Sequence, residues 1–487
     1  MLKKTEVFFG GYSDIEATVL ADTSGFSLGS FPTRYLGLPL NPGRISMNIL
    51  QPFIDKITTK LHSWTVKYLS FAGKVTMVAS VIYGLVNFWS SVFVLPKSFY
   101  AKIDSLCAAF LWNNTTTSAS GARVSWSDLC RPKAEGGLGI RLLEEYQEVF
   151  RLKRTWNYLS NNNSLWVGWV KNNVFHWSSF WVMADTPRFP PAIRSMIQLK
   201  PQLTNLLRCV LGNGETASFW YDSWTPLGPL IDLVGHGGRS TMRIREDTRV
   251  CEAVRDGEWY LPGARSDARQ QMQIILTTIQ PPAASDEPDK YLWIKSDGSY
   301  GNKFSTRVTW KHIRQRAAPV FWSKVVWFRE YIPRCSFMSW LALHRRLPTK
   351  DRMRRWGMEV SETCVLCSTG IETHHHLFFE CTYSSSVWLY FASQIRSFPP
   401  MDLHSAAAWI LSNQQQTTAQ AVTILKIIYQ AYIYLLWKKR NARIFTGIST
   451  SAEGLKYSID RLVRARLVLS SHPSRSCLSS PVLFLLY

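Results

Sequence analysis

Three cysteines and a histidine constrain this chain more tightly than any other part of it. Cys364, Cys367, His376 and Cys381 read C-x2-C-x8-H-x4-C. Three thiolates and one imidazole complete the tetrahedron that zinc takes in structural sites, with no position left open for a water nucleophile. The set therefore points to a metal-organised binding module rather than a metallo-catalyst. Two cysteines three positions apart grip one ion from a tight turn. The following gap allows a loop, and the histidine and last cysteine close the cage from a turn or short helix. The run His374-His375-His376 leaves the third ligand open, since spacing alone does not choose among them. His376 does lead into Leu377-Phe378-Phe379, an apolar anchor that would hold a ligand rigidly. The competing reading is three core cysteines beside a polar histidine cluster; Cys/His clustering at this spacing favours zinc.

Charge points to a partner. Lys and Arg number 56 against 34 Asp and Glu, a formal charge of +22. A surplus of that size favours a polyanion, nucleic acid before anionic membrane. The other cysteines (Cys107, Cys130, Cys209, Cys251, Cys335, Cys477) are scattered without paired spacing, which argues against a disulfide framework and for a reducing compartment. Met1-Leu2-Lys3-Lys4 opens no apolar core of signal-peptide length. The greasiest run, Ala421 to Trp437, is interrupted by Lys426 and Gln430 and reads as a buried helix, not a membrane span. The expected location is intracellular, nucleus or cytoplasm, not secreted, with no membrane partner.

The expected fold is mainly α with short β segments, multi-domain, including a small zinc-binding Cys3His module. Residues 1–40 look like the end of something larger, with Val7-Phe8-Phe9 a short strand stopped by Gly10-Gly11. Residues 41–114 read as helical: Ile49, Phe53, Ile57 and Leu61 recur at helical spacing, and a second segment from Phe71 to Phe93 stops before Leu95-Pro96. Residues 121–280 form a Trp-rich mixed region. There Gly136-Gly137-Leu138-Gly139 is expected as a plain turn between a short strand and a helix from Leu142 to Leu159, since a nucleotide-binding spacing is absent. Phe219 to Trp224 is expected as a half-buried strand and turn, and Pro281 to Pro288 as a linker. Residues 405–470 read as mostly helical, followed by a tail at 471–487.

Residues 304–391 hold the metal motif and a dense run of cations, with Trp310, Trp322, Trp327, Trp340 and Trp356 between them. Cations mixed with aromatic plates suit single-stranded nucleic acid. Large aromatics mostly anchor cores, so the tryptophans are read as core. Arg345, Arg346, Lys350, Arg352, Arg354 and Arg355, close to the metal motif, are read as phosphate contacts. Polymerase chemistry needs carboxylates that hold two divalent ions. No Asp-Asp pair occurs in the sequence, and Asp286, Glu287 and Asp289 fall in the Pro-rich linker. Asp297-Gly298-Ser299 has the look of a first ribonuclease H strand but lacks companion acids and reads as a turn. His62 and His344 are isolated. The chain is expected not to be an enzyme.

Phe304-Ser305, Trp322, Trp327, Pro333, Trp340, His344-Arg345-Arg346-Leu347-Pro348-Thr349, Cys364-x2-Cys367, Glu372, His376-Leu377-Phe378-Phe379-Glu380-Cys381 and Trp388 together resemble the reverse-transcriptase zinc-binding domain of plant LINE-type (non-LTR) retrotransposons. Outside it, Tyr35-Leu36-Gly37-Leu38-Pro39-Leu40, Phe110-Leu111-Trp112, Phe219-Trp220-x-Asp222-x-Trp224 and Arg440-Asn441-x-Arg443-x-Phe445 are similar to the stretches that flank that domain. The resemblance implies His376 as third ligand and Zn2+ as the ion. It makes residues 1–40 the remnant of a palm whose catalytic acids lie upstream, and 41–114 thumb-like. The expected function is a non-catalytic, RNA- or DNA-binding C-terminal portion of such a reverse transcriptase, truncated or domesticated. The alternatives are a zinc-organised protein-interaction module and an accessory part acting with a separate palm.

Overall fold

A computed structural model describes residues 5–41, 43–65, 69–160, 163–176, 178–240, 244–261, 263–264, 266–412 and 418–470. Met1–Lys4, Cys477 and the 471–487 tail lie outside them. The chain is mainly helical with short strands, as its periodicity indicates. It divides into two compact units. One gathers Met1–Phe53, Gly84–Ala101 and Leu143–Gln315; the other gathers Ile54–Tyr83, Lys102–Leu142 and Arg316–Tyr487.

Helix Met47–Thr65 buries Phe53, Ile57 and Leu61, as their spacing indicates, together with Leu50 and Ile54, while Ile49 is only partly covered. Phe71–Val92 runs as helix with one π-turn at Val78–Ile82, and ends ahead of Pro96. By length and composition alone Phe71–Val92 and Ala419–Thr446 are long and apolar enough to cross a membrane. The second is the central core helix of its unit.

The first unit is built on a three-stranded antiparallel sheet, in which Leu207–Val210 pairs with Lys290–Ile294 and that strand with Tyr300–Gly301. Trp293 is fully buried and donates its indole N–H to Thr309 Oγ1 at 2.8 Å, which pins helix Thr306–Ile313 to the sheet. Helix Leu143–Leu159 carries Glu144 and Glu145 in its first turn, favourable at the positive helix end, and buries Leu143, Tyr146, Val149, Leu152 and Trp156. The expected strand and half-burial at Phe219–Trp224 are not what forms. Phe219 and Trp220 are fully buried in a coiled turn, closed by the Ser218 amide donating to Asp222 Oδ2 at 2.8 Å and the Trp224 indole to the Phe219 carbonyl. Local hydrogen bonding to a carboxylate outcompetes the ladder that an alternating apolar pattern would otherwise make.

Two acids of this unit meet opposite fates. Asp289 collects the backbone amides of Gly212, Gly214, Thr216 and Ala217 at 2.8–2.9 Å. Burial alone would raise its carboxyl, but these four amides hold it below the usual range. Asp222 is fully buried, and burial pushes it up to about 7 against hydrogen bonds from the Ser218 amide and the Tyr291 hydroxyl. Asp289 is thus an anchor for the 212–217 loop. Gly212 must be glycine there, because a Cβ would sit 1.9 Å from the Glu287 carbonyl oxygen. Asp297 accepts from the Ser299 amide and hydroxyl within a tight turn.

The second unit wraps around helix Ala419–Thr446. Thr418 caps its start by accepting from the Ala421 amide, and Gly447, in the left-handed region, ends it. It packs against helices Pro333–Leu343, Thr382–Ile395, Leu403–Leu411 and Ala452–Ser470. Surrounded on so many sides, it is apolar nearly all round, and its buried Gln430, Tyr429 and Tyr432 each donate to a carbonyl of a packed segment. Gln430 donates to the carbonyls of Val325 and Val326 at 2.8 and 2.9 Å, Tyr429 to that of Leu403 and Tyr432 to those of Phe378 and Ser384. Gly136 serves as a hub rather than a phosphate cradle: its carbonyl accepts from the Trp340 indole at 2.7 Å and lies 2.8 Å from His344 Nε2. The segment before it is helical (Trp126–Cys130, then a single turn at Lys133–Glu135), not the expected strand. Ser125 caps that helix, and its hydroxyl wins the local competition for the chain.

Candidate metal centre

The stretch from Glu362 to Glu372 folds back on itself as a miniature ribbon. Cys364 donates its amide to the Gly370 carbonyl, and Glu372 donates to the Glu362 carbonyl. The ribbon turns through Ser368, whose φ of 62° is left-handed, with its amide bonded to the Cys364 carbonyl. This presents Cys364 and Cys367 on the inside of the turn. The other two donors come from the next segment. The Thr373 hydroxyl accepts the His376 amide at 3.0 Å, a π-turn runs from His376 to Glu380, and Cys381 follows at the N-cap of helix Thr382–Ile395. Leu377, Phe378 and Phe379 are fully buried beneath the histidine, the anchor their apolar character predicts.

The four ligand atoms lie within 4.8 Å of one another. Cys364 and Cys381 Sγ are 4.0 Å apart, and Cys367 Sγ is 3.3 Å from His376 Nε2. A tetrahedron with Zn–S of about 2.3 Å and Zn–N of about 2.0 Å has S–S edges of about 3.8 Å and S–N edges of about 3.5 Å. The cage therefore has the size that zinc requires. Its thiols are also partly prepared for it. Hydrogen bonding with Cys364, backed by the amides of Ser384 and Tyr383 at the helix start, brings Cys381 down to about 5. Cys364, as the donor of that pair and half-buried, is pushed up. Burial acts to raise Cys367, but hydrogen bonds from the Thr369 hydroxyl, the Gly370 and Thr369 amides and His376 outweigh it and bring the thiol to about 7.

The histidine ambiguity resolves by geometry. His374 is buried away from the cage, with Nε2 accepting the Leu347 amide at 3.2 Å and Nδ1 facing the Thr349 hydroxyl. His375 lies 3.2 Å from Glu380 and 3.8 Å from Asp402. Only His376 shares the site. Gly370 is what lets it approach, since a Cβ there would fall 2.3 Å from His376 Cε1.

Helix Ala419–Thr446 holds this ribbon from outside. Arg443 donates to the carbonyls of Val365 and Leu366, the two residues between the paired cysteines, at 3.2 and 2.9 Å. Arg440 and Glu372 form an ion pair with both side chains essentially excluded from solvent, and the same Glu372 oxygen accepts the Lys350 amide. Both arginines stand in the motif Arg440-Asn441-x-Arg443-x-Phe445. The spacing signals that they share a helix face, but not that they grip the metal ribbon.

The cations read as phosphate contacts prove unequal. Arg354 pairs with Glu362 at 2.5 Å, Arg355 with Asp351 at 3.0 Å, and Lys350 Nζ donates to the Thr363 carbonyl at 2.6 Å. Arg352 donates to the Arg345 carbonyl and lies over the Trp356 ring. Arg345 and Arg346 are exposed and make no ion pair among the described residues. Arg345 holds a left-handed φ of 52° in the turn that ends helix Pro333–Leu343. One cation was missed. Arg123, far upstream in a Ser/Thr-rich stretch, is close enough to Arg352 for their like charges to act on each other, and nothing in its neighbours in sequence marks it. Trp322 and Trp340 are core, as expected, while Trp356 is 55% exposed. It follows a run of cations at the end of the short helix Lys350–Arg355, none of whose residues is buried.

Comparison with known proteins agrees with this site. Residues 304–388 match the family described as zinc-binding in reverse transcriptase. A protein of Arabidopsis thaliana named "Putative ribonuclease H protein" is 24% identical over 447 residues, which span 86% of this chain and 68% of that relative. The resemblance drawn from the residues themselves is borne out, and the metal-site segment is where it is most specific.

Proposed function

We propose that this chain is a zinc-stabilised, non-catalytic nucleic-acid-binding portion of a plant LINE-type reverse transcriptase, working inside the cell. The observation that carries the reading is a Cys3His cage of zinc size inside a segment matched to a reverse-transcriptase zinc-binding family, beside unpaired Arg345 and Arg346. Cys364, Cys367, His376 and Cys381 would hold Zn2+, and the closed donor set gives the ion a structural role. The relative's name raises hydrolysis of RNA. That chemistry needs carboxylates gathered around metal ions, and among the described residues the one close group of such ligands is the cysteine and histidine cage. Burial of Trp322 and Trp340 removes them as docking plates, which weakens the protein-interaction alternative.

The test pairs metal analysis with salt-dependent binding. Purified protein is expected to carry one zinc per chain and to bind a single-stranded 20-mer with an affinity that falls steeply as salt rises. Replacing Arg345 and Arg346 together with Ala is expected to reduce the log–log salt slope by about 1.4, at about 0.7 per phosphate contact on single strands. Arg354→Ala with Arg355→Ala is expected to change it less, because their charges are already balanced by Glu362 and Asp351. A metal-free protein that melts identically with and without chelator, or binding indifferent to salt, would overturn the reading.

A further inference from the structure

Among the described tryptophans of the second unit, Trp356 is the one left largely in water. Trp356 is 55% exposed, with Met358 beside it 47% exposed. Its backbone is fixed: the Trp356 amide is bonded to the carbonyls of Arg352 and Met353, and Gly357 turns the chain away with a φ of 82°. The Arg352 guanidinium lies 5.2 Å from the ring centroid, and is itself held by the Arg345 carbonyl. With Arg352 on one side, the residue still keeps more than half of its surface in solvent. Around it stand Arg354 and Arg355, with side chains 51% and 76% exposed, and through Arg352 the half-buried Arg123. Arg354 and Arg355 are balanced by Glu362 and Asp351, but Arg352 is held by a carbonyl and makes no ion pair among the described residues, so an apolar protein surface laid on this plate would cover an uncompensated charge. The plate suits a ligand that is flat and apolar on its face and anionic along its edge.

We infer that Trp356 and Arg352 form a nucleotide subsite, in which Trp356 stacks on an unpaired base while Arg352 meets the adjoining phosphate. This rests on the nucleic-acid reading above and narrows it to single strands, because a base within a duplex has no free face to offer. Arg352 acts twice, steadying the ring as a cation over its face and facing the phosphate beside the base.

The experiment compares three fluorescently labelled ligands on the full chain at low salt: a thymidine 12-mer, the same 12-mer with every base removed, and a 12-base-pair duplex. The base-bearing strand is expected to bind about 5- to 150-fold tighter than the abasic strand, the range of one stacked base. Trp356→Ala is expected to lower affinity for the base-bearing strand toward that of the abasic one and leave the abasic strand unchanged, while Trp356→Phe retains most of the difference. Equal affinity of wild-type protein for base-bearing and abasic strands, or tighter binding of the duplex, overturns the subsite without touching the phosphate contacts. Equal weakening of both strands by Trp356→Ala also overturns it. Binding to none of the three ligands defeats the broader nucleic-acid reading with it. Because the wild-type comparison needs no substitution, poor folding of a variant does not shield the inference.

Discussion

At the scale of single residues, the metal cage depends on two groups that donate nothing to the ion. Gly370 matters for the side chain it lacks, and Arg443 for the two carbonyls it restrains. Gly370→Ala places a methyl carbon 2.3 Å from His376 Cε1, so the ring must swing out of the cage. Chelator competition is expected to show at least a 10-fold loss of zinc affinity, and Arg443→Ala a loss on the order of 10-fold, the usual effect of removing support behind a ligand. Unchanged affinity in both would mean the ribbon needs neither. Sequence reading found the four side chains that cluster because Cys and His at metal spacing carry their meaning locally. It could not find Gly370's role, which depends on a ring six positions later folding back over it. It could not foresee the ion pairs of Arg354 and Arg355, whose partners Glu362 and Asp351 become visible only when the short helix and the ribbon come together.

At the scale of elements, the ribbon and helix Ala419–Thr446 are joined by the buried pair Glu372–Arg440. Taking both charges out of water costs much of what their attraction returns, so the pair contributes little net stability while intact, and removing one partner leaves an unbalanced charge. Glu372→Ala is therefore expected to destabilise the protein by about 3–5 kcal/mol in urea unfolding. Glu372→Leu combined with Arg440→Met is expected to recover most of that. Additive losses in the double variant would show that the pair is not an isolated charge couple. Helices were the most legible elements: Phe53, Ile57 and Leu61 mark the buried face of Met47–Thr65 through spacing alone. The Phe219–Trp224 turn was not, because the bond from Ser218 to Asp222 that coils it competes with the strand its aromatics favour.

At the scale of the molecule, the two units answer to different solution variables. The first has no metal cage among its described residues but buries Asp222, whose carboxyl is raised to about 7. An unfolded aspartate titrates near about 3.9. Between those values the folded chain holds a proton that the unfolded chain has released, so this contribution is complete below about pH 4 and is lost as pH rises toward 7. Asp289, held low by its amides, works the other way and loses its contribution as the solution turns acid. Asp222→Asn is expected to remove the decline between pH 4 and 7, seen as a wild-type-minus-variant melting difference that shrinks with rising pH. Parallel melting profiles would refute it. The second unit, on the zinc reading, is expected to answer to metal and chelator instead. Overall class, the metal centre and the basic character were legible because each is written in residue type. The sharing of one unit among segments as distant as Arg123 and Arg352 was not, since it belongs to chain topology.

The grip of Arg443 on the cysteine turn sets an order of events in time. The carbonyls it holds belong to residues 78 and 77 positions earlier in the chain. On a translating ribosome the cysteines and histidine emerge well before the guanidinium that steadies them. On the zinc reading, a nascent chain captures its ion early but loosely, and the ion becomes slow to exchange only after the long helix has left the exit tunnel.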